Sequence, residues 1–362
     1  MSDRLKQLAA AGTSPWLDNI RRSWLNSGTF DKMVRDGIMG VTSNPTIFQK
    51  AIAQSDDYDD AISALAGSGV TAEEAFFELA IQDVQSAADH LRGVYNATNM
   101  VDGYVSFELP PGMANDTAAS TEAAPRFWKR IDRPNIFIKI PGTAAGIPAI
   151  EDSIAAGVNV NVTLLFSLER HDQIHWAYVR GLERRLEAGQ SLHDVHSVAS
   201  FFVSRVDTAV DKLLGEGSSL AGKAAIANAK LAYQHFLEII SSERWKALEA
   251  AGAHVQRPLW ASTGTKNPEY SDVLYVDSLI GPNCVNTMPD PTIEAFADHG
   301  VVARTVDADL DAARSTLAEV EAKGISLDDV THQLEVDGVK AFAESFDSLI
   351  GTIDERLREM AA

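Results

Sequence analysis

The stretch "NIFIKIPGT", from Asn135 to Thr143, is the part of the sequence that decides the fold. Three isoleucines and a phenylalanine surround one charged residue, Lys139, and a Pro-Gly pair follows. A short β-branched run before Pro-Gly is typical of a buried parallel strand and its exit loop. Side chains alternate between the faces of a strand, so Lys139 shares a face with Phe137, opposite the isoleucines. Because lysine is rarely buried without a partner, the ammonium group needs an explanation.

Seven further apolar runs lie along the chain, separated by longer segments rich in Ala, Leu, Glu and Lys. The eight runs, in order, are "SPWLDNI", "IMGVTSNP", "GYVSFELPP", "NIFIKIPGT", "VNVNVTLLFS", "SVASFFVSR", "VQRPLWAST" and "CVNTMP". This alternation predicts a parallel sheet with crossover helices. Eight units favour a (β/α)8 barrel, although an open doubly wound sheet fits the count almost as well.

Polar residues near the ends of these runs favour the barrel. Seven runs carry one there, namely Asp18, Asn44, Glu108, Lys139, Thr163, Ser200 and Ser262, and the eighth offers Asn286. In a barrel the carboxyl ends of all strands meet at one mouth, whereas an open sheet concentrates such groups near one switch point. Residues two apart share a face. The pairs that this rule groups are Thr42 with Asn44, Asn161 with Thr163, and Ser200 with Phe202.

We therefore predict a single (β/α)8 TIM-barrel domain over residues 1–362. Extra helices are expected at the N- and C-termini. An insertion is expected between strands 6 and 7, from about Asp207 to Glu249, because this segment exceeds a single crossover helix.

Composition and charge limit the function. The 362 residues are 45% hydrophobic and 23% charged, as in ordinary globular proteins. The balance of 31 Lys and Arg against 51 Asp and Glu gives a net charge of −20, which disfavours nucleic acid and anionic membranes as partners.

Because Cys284 is the single cysteine, no disulfide can form within the chain. No apolar run approaches 18 residues and no secretory leader is evident, so a soluble cytoplasmic protein is predicted, with monomer and homodimer both open.

Two sets of residues indicate chemistry. A lysine at a strand end most often reaches water, but apolar surroundings favour the neutral amine, which can attack a ketone. The loop of "LWASTGTKNP" supplies Ser262, hydroxyls, backbone amides and Lys266, a combination that suits a phosphate, and Arg205 could add a second cation. His171 and His175 have metal-ligand spacing without an evident third ligand, so neither a metal nor a cofactor is predicted.

The sequence resembles the transaldolase family at several motifs. "GVTSNPTIF" (Gly40 to Phe48) is similar to the first transaldolase signature, and "IFIKIPGTAAGIPAIE" is similar to the second, which contains a Schiff-base lysine. "NVNVTLLFS" and "WASTGTKNP" also resemble transaldolase segments, and the likeness runs from Trp16 to "GVKAFAESFDSL". The resemblance implies a (β/α)8 barrel, class I aldolase chemistry, sugar phosphate substrates and neither cofactor nor metal.

The resemblance also implies roles for individual residues. Lys139 would form the Schiff base, Asp18 would act as acid and base at the sugar hydroxyl, and Glu108 and Thr163 would hold a proton-shuttling water. The substrate-binding residues that it implies are Asn44, Asn161, Ser200 and Phe202 around the three-carbon unit, with Arg205 and Ser262 at the phosphate. Thr42 joins this set through its shared face with Asn44. Several well-known members of the family carry an arginine shortly after the serine that corresponds to Ser262. In this sequence Lys266 is the residue that would take its place.

Three rival functions remain to be compared. Fructose-6-phosphate aldolases use the same lysine but are shorter, with Gln and Tyr where this chain has Glu108 and Phe202. A non-catalytic phosphosugar-binding barrel would keep Lys266 and Arg205 but has no need of Lys139, Asp18 and Glu108 together. A phosphosugar isomerase shares the fold without an evident need for the lysine.

Overall fold

The computed structural model describes residues 3–361, in which eight parallel strands form a closed barrel. The strands are β1 (Thr13–Leu17), β2 (Gly40–Val41), β3 (Tyr104–Glu108), β4 (Ile136–Pro141), β5 (Val160–Leu165), β6 (Ser197–Phe202), β7 (Arg257–Ala261) and β8 (Cys284–Met288). Each predicted apolar run contains one of these strands, and every strand residue is buried. Because β1 pairs with both β2 and β8, the barrel prediction is confirmed and the open-sheet alternative is wrong.

Helices surround the barrel and extend beyond it at both ends of the chain. They are α1 (Arg4–Ala10), α2 (Arg22–Ser27), α3 (Thr29–Asp36), α4 (Pro45–Ala53), α5 (Asp59–Leu65), α6 (Ala72–Ala97), α7 (Thr117–Ile131), α8 (Gly146–Ala155), α9 (Leu168–Glu187), α10 (Ser204–Leu214), α11 (Ala224–Ile240), α12 (Glu243–Ala250), α13 (Leu274–Asp277), α14 (Asp290–His299), α15 (Leu310–Ala322) and α16 (Leu327–Ala361). The predicted terminal helices are thus confirmed as α1, α15 and α16. None of the described helices is long and apolar enough to serve as a membrane span.

The predicted insertion consists of helices on the outside of the barrel. Between β6 and β7 the chain forms α10, α11 and α12, and α11 packs against α9 and α15. The side chain of Asn228 on α11 donates to the carbonyl of Phe166 at 2.8 Å. The carboxylate of Asp207 accepts from the backbone N–H of Ala225 at 2.7 Å, which fixes the start of α11. The insertion therefore supports the wall of the barrel from behind.

Aromatic and charged side chains fill the lower half of the barrel. The ring of Trp16 stacks on Phe137, with ring centroids 6.1 Å apart. Asp102 accepts hydrogen bonds from Trp16 Nε1 at 2.9 Å and from Arg257 Nη1 at 3.1 Å. Gly40 makes this packing possible, because a Cβ there would lie 2.4 Å from the Trp16 ring. The closed base leaves free space only toward the carboxyl ends of the strands, where barrel enzymes place their chemistry.

The long helix α16 returns to that end of the barrel. Ser345 and Thr46 of α4 are joined by a hydrogen bond of 2.9 Å. Nearer the start of α16, Glu335 forms an ion pair with Arg170 of α9 at 3.3 Å. These contacts hold the C-terminal helix across the mouth of the barrel, against elements from opposite sides of it.

Candidate active site

A cavity of about 200 Å³ opens at the carboxyl ends of the strands. Its lining residues are Asp18, Thr42, Asn44, Lys139, Thr163, Ser200, Phe202, Arg205, Ala261, Ser262, Gly264, Lys266, Thr287, Pro289 and Phe342. Ten of the twelve residues that the sequence nominates are in this lining. The other two, Glu108 and Asn161, lie directly behind it in contact with Lys139 and Ser200. The closed barrel is what brings these residues together from seven different strand ends.

Lys139 is buried at the centre of this arrangement, with 4% of its surface exposed. Its Nζ lies 3.2 Å from Oε2 of Glu108 and donates to the carbonyl of Ser43 at 3.2 Å. Lys139 and Glu108 are direct partners in the register of β4 and β3, so the sheet itself sets their distance. Burial raises the pKa of Glu108, and the positive charge of Lys139 opposes that shift. The carboxyl group of Glu108 is thus placed to accept the proton that Lys139 must lose before its amine can act as a nucleophile.

Asp18 lies at the end of β1 and faces the same cavity. Thr42 Oγ1 donates to Oδ1 of Asp18 at 2.7 Å and lies 2.6 Å from Thr287 Oγ1. Since Thr42 uses its proton for Asp18, Thr287 must be the donor in the second bond. Burial raises the pKa of Asp18, while the Lys139 charge and the Thr42 hydrogen bond lower it. Asp18 thus has the environment of a carboxyl group that exchanges protons during a reaction.

The side chains of Asn161 and Ser200 form a hydrogen-bonded floor. Ser200 Oγ donates to Asn161 Oδ1 at 2.7 Å, and Asn161 Nδ2 donates to Ser106 Oγ at 2.9 Å. Ser200 reaches the cavity, whereas Asn161 is held behind it. Above them, the buried hydroxyl of Thr163 has no hydrogen-bond partner within residues 3–361. A buried hydroxyl usually has one, so Thr163 is suited to hold a substrate group or a water.

A positively charged rim borders the other side of the cavity. Arg205 is partly buried with its guanidinium 5.0 Å from the Phe202 ring centroid, and it has no hydrogen bond or salt bridge to any residue in the range 3–361. Burial lowers the pKa of Arg205, and the nearby charges of Asp18 and Glu108 oppose that shift. Lys266 is exposed at the same rim, and Ser262, with φ of 56°, lies between them. An unpaired guanidinium beside a lysine and a serine is well suited to a phosphate group.

The phosphate loop differs from the sequence prediction in one residue. Thr263, nominated as one of its hydroxyl groups, is fully buried and donates to Asn286 Oδ1 at 2.8 Å. Its hydroxyl therefore fixes the loop to β8. The anion-facing groups that remain are Arg205, Lys266 and Ser262.

Five lining residues were not nominated from the sequence, and two of them, Thr287 and Phe342, contribute side chains of consequence to the cavity. On β8 it named Asn286, but Thr287 faces the cavity while Asn286 bonds Thr263. Thr287 pairs in register with Trp16, an interior residue, and alternation from Val285 would have indicated the same face. Phe342 of α16 also lines the cavity, and nothing in the sequence indicated that this helix would cross the mouth.

Comparison with known proteins agrees with this geometry. Residues 15–353 match the family described as transaldolase/fructose-6-phosphate aldolase. A transaldolase of Thermobifida fusca is 49% identical, with 99% of both chains covered. A transaldolase of Frankia alni is 48% identical over 99% of this chain and 98% of that protein, and transaldolase 2 of Streptomyces avermitilis is 47% identical over 100% and 99%. The chain therefore belongs to the transaldolase/fructose-6-phosphate aldolase family.

Proposed function

We propose that this protein is a transaldolase of the pentose phosphate pathway. It transfers a dihydroxyacetone unit from a ketose phosphate, sedoheptulose 7-phosphate or fructose 6-phosphate, to an aldose phosphate, glyceraldehyde 3-phosphate or erythrose 4-phosphate. The observation that carries this proposal is the buried amine of Lys139, held 3.2 Å from a carboxylate at the mouth of the barrel. Burying such a pair costs stability relative to apolar packing, so a purely structural role does not account for it.

The first half of the reaction builds the Schiff base. Lys139 Nζ attacks the C2 ketone of the donor, and the resulting carbinolamine loses water to give an iminium ion. Each step moves a proton between nitrogen and oxygen. Glu108 is in contact with that nitrogen, and burial raises the pKa of its carboxyl group toward the range in which it both takes and gives protons. Thr163, with its free hydroxyl, is placed to hold the water involved.

The second half breaks and remakes a carbon–carbon bond. The Thr42 hydrogen bond and the charge on the Lys139 nitrogen oppose the effect of burial and favour the carboxylate form of Asp18, which takes the proton of the C4 hydroxyl. The C3–C4 bond breaks, its electrons pass into the iminium, and the aldose phosphate leaves. The enamine on Lys139 then attacks the aldehyde carbon of the acceptor, and Asp18 returns the proton. Hydrolysis of the new iminium releases the product and regenerates the free amine.

The cationic rim accounts for the phosphate on both substrates. A net charge of −20 repels such anions, but salt screens that field within about 8 Å at physiological ionic strength. Arg205 and Lys266 are the local charges that provide affinity at contact distance. The single cysteine of the chain fits a reducing compartment, and we place the enzyme in the cytoplasm.

Two related functions make different demands on the site. A fructose-6-phosphate aldolase releases the three-carbon unit to water, and the full-length relatives named transaldolase favour transfer instead. A binding protein without catalysis would use Arg205 and Lys266 but would not need a buried Lys139. Measuring product formation with and without an aldose acceptor separates transferase, lyase and binding protein.

Borohydride trapping tests the proposal directly. Fructose 6-phosphate with borohydride is expected to leave a reduced three-carbon adduct, which peptide mapping should assign to Lys139. Lys139→Arg should form no adduct and be inactive, because guanidinium stays protonated. Lys266→Arg is the matched control and should keep the adduct, since its lysine lies at the rim. An adduct on another lysine, or none in the wild-type protein, rejects the proposed mechanism.

A further inference from the structure

Phe342 is the residue through which the C-terminal helix enters the cavity. Its side chain is buried, and its ring centroid lies 5.8 Å from Nζ of Lys139. This is within the distance at which a ring and an ammonium group attract each other. The other groups around this nitrogen are oxygens, from Glu108 and from the Ser43 carbonyl. The ring is thus the apolar surface that Lys139 meets on its open side.

Two contacts of α16 fix the position of this ring. One turn before Phe342, a Cβ on Gly338 would lie 2.9 Å from Leu164 Cδ2 and 3.6 Å from Arg205 Nη1, so the helix backbone rests directly on β5. One turn after Phe342, Ser345 is bonded to Thr46 of α4 at 2.9 Å. Phe342 therefore spans the cavity between two anchored points and cannot swing away without moving the helix.

The enamine bound to Lys139 has two competing fates. It can attack an acceptor aldehyde, which is transfer. Alternatively, the enamine carbon takes a proton from a water molecule, and the resulting hydroxide adds to C2 of the iminium. The C2–N bond then breaks, the nitrogen takes the proton of the new C2 hydroxyl, and dihydroxyacetone leaves. This second path consumes one water molecule and returns the free amine. Hydrolysis at the end of transfer also adds water to C2, so the step found only in the second path is protonation of the enamine carbon by water.

We propose that Phe342 is a positioning residue that keeps water from the enamine carbon of the lysine-bound intermediate and thereby sets the ratio of transfer to hydrolysis. The inference rests on the transaldolase function proposed above and adds to it. Strand residues supply mainly polar groups to the lining, which attract water as well as sugar hydroxyls. The ring, contributed by a helix outside the β/α repeats, is the element that excludes water from above.

The test is the partition of the intermediate in Phe342 variants. Fructose 6-phosphate is supplied with saturating erythrose 4-phosphate, and free dihydroxyacetone and sedoheptulose 7-phosphate are measured together. Phe342→Ala is expected to raise the ratio of hydrolysis to transfer about tenfold, which corresponds to about 1.4 kcal/mol between the two barriers. Phe342→Leu, which keeps an apolar cover without the ring, should fall between Phe342→Ala and the wild type, and it also serves if the alanine variant does not fold.

Phe346 supplies the matched control. It lies one turn further along α16, packs on Phe76 with ring centroids 5.6 Å apart, and borders a separate small cavity behind Glu108 instead of the lysine cavity. Phe346→Ala loosens the helix by a similar truncation and should leave the ratio unchanged. The inference is overturned if both Phe342 variants keep the wild-type ratio, or if Phe346→Ala raises it as much. Lack of a borohydride adduct in the wild type would instead reject the proposed function itself.

Discussion

Arg205→Gln is the substitution for which the structure gives the most definite expectation. The guanidinium is partly buried at the cavity and has no hydrogen bond or ion pair within residues 3–361. Its donors are therefore free for a phosphate, which guanidinium binds through two parallel hydrogen bonds. A hydrogen bond to a charged group contributes about 1.5–3 kcal/mol, and two bonds to one anion add less than their sum. Loss of about 3–4 kcal/mol, or about 10²- to 10³-fold in kcat/KM, is expected for phosphorylated substrates.

Lys266→Ala should have a smaller effect. Lys266 is exposed, so water and salt screen much of the attraction between its charge and a phosphate. We expect a loss of about tenfold, the lower end of what a charged hydrogen bond contributes. The order of the two effects reverses the emphasis of the sequence reasoning, which gave Lys266 the leading role.

The assay compares erythrose 4-phosphate with unphosphorylated erythrose as acceptor. The ratio of their kcat/KM values should fall with Arg205→Gln, fall less with Lys266→Ala, and stay constant with Arg21→Gln. Arg21 is the matched control. It carries the same charge as Arg205, but it lines a neighbouring cavity that also includes Asp18. An unchanged ratio in Arg205→Gln refutes the phosphate assignment. An equal fall in Arg21→Gln would mean that the general field, rather than contact, attracts the phosphate.

Four further predictions concern titratable groups. Asp18→Asn should still give a borohydride adduct but lose cleavage, and normal turnover would show that Asp18 has no catalytic role. Thr42→Val should raise the pKa of Asp18 further and move the acid limb of the kcat/KM profile to higher pH. Glu108→Ala should slow adduct formation in rapid-quench trapping, and an unchanged rate would exclude its role in imine formation. Burial lowers the pKa of His175, which lies beside the equally buried His171, to about 3. The unfolded chain therefore binds protons that the folded protein does not, and the free energy of unfolding decreases as the pH drops below about 6.5. In denaturant titrations His175 alone should account for a loss of about 2–3 kcal/mol between pH 7 and 4.5, so His175→Gln should lose that much less than the wild type. Equal losses in the two proteins would exclude this cause.

The alternation of side chains made much of this site readable from the sequence. Phe137 and Lys139 share a face, and in the structure the first packs on Trp16 while the second pairs with Glu108. The rule works because every strand is buried on both sides, so each residue has only two directions available. The same rule was not applied to β8, and Asn286 was named in place of Thr287. The signal was present in the sequence and was misread.

Other features depend on contacts that a local pattern does not encode. The position of Phe342 follows from how a 35-residue helix packs across elements far away in the sequence. Leu164 and Ser262 adopt positive φ, at 61° and 56°, conformations that bulky or polar residues rarely choose unaided. Such strain persists only when the surrounding packing imposes it. Ser262 lines the cavity, and Leu164 directly follows Thr163, which also lines it. Tertiary contacts decided these details, and propensity could not have predicted them.

Arg205 and Lys139 are two cationic side chains at the cavity whose charges are balanced in different ways before substrate binds. Lys139 is neutralised by Glu108 in its own sheet register, so the substrate finds a proton acceptor already in place. Arg205 has no salt bridge within residues 3–361, in a chain where acidic residues outnumber basic ones by 51 to 31. A paired guanidinium would be more stable in the free protein, but phosphate would then have to displace its partner. Leaving it unpaired transfers that stability to the complex, as expected where binding energy positions a substrate for reaction.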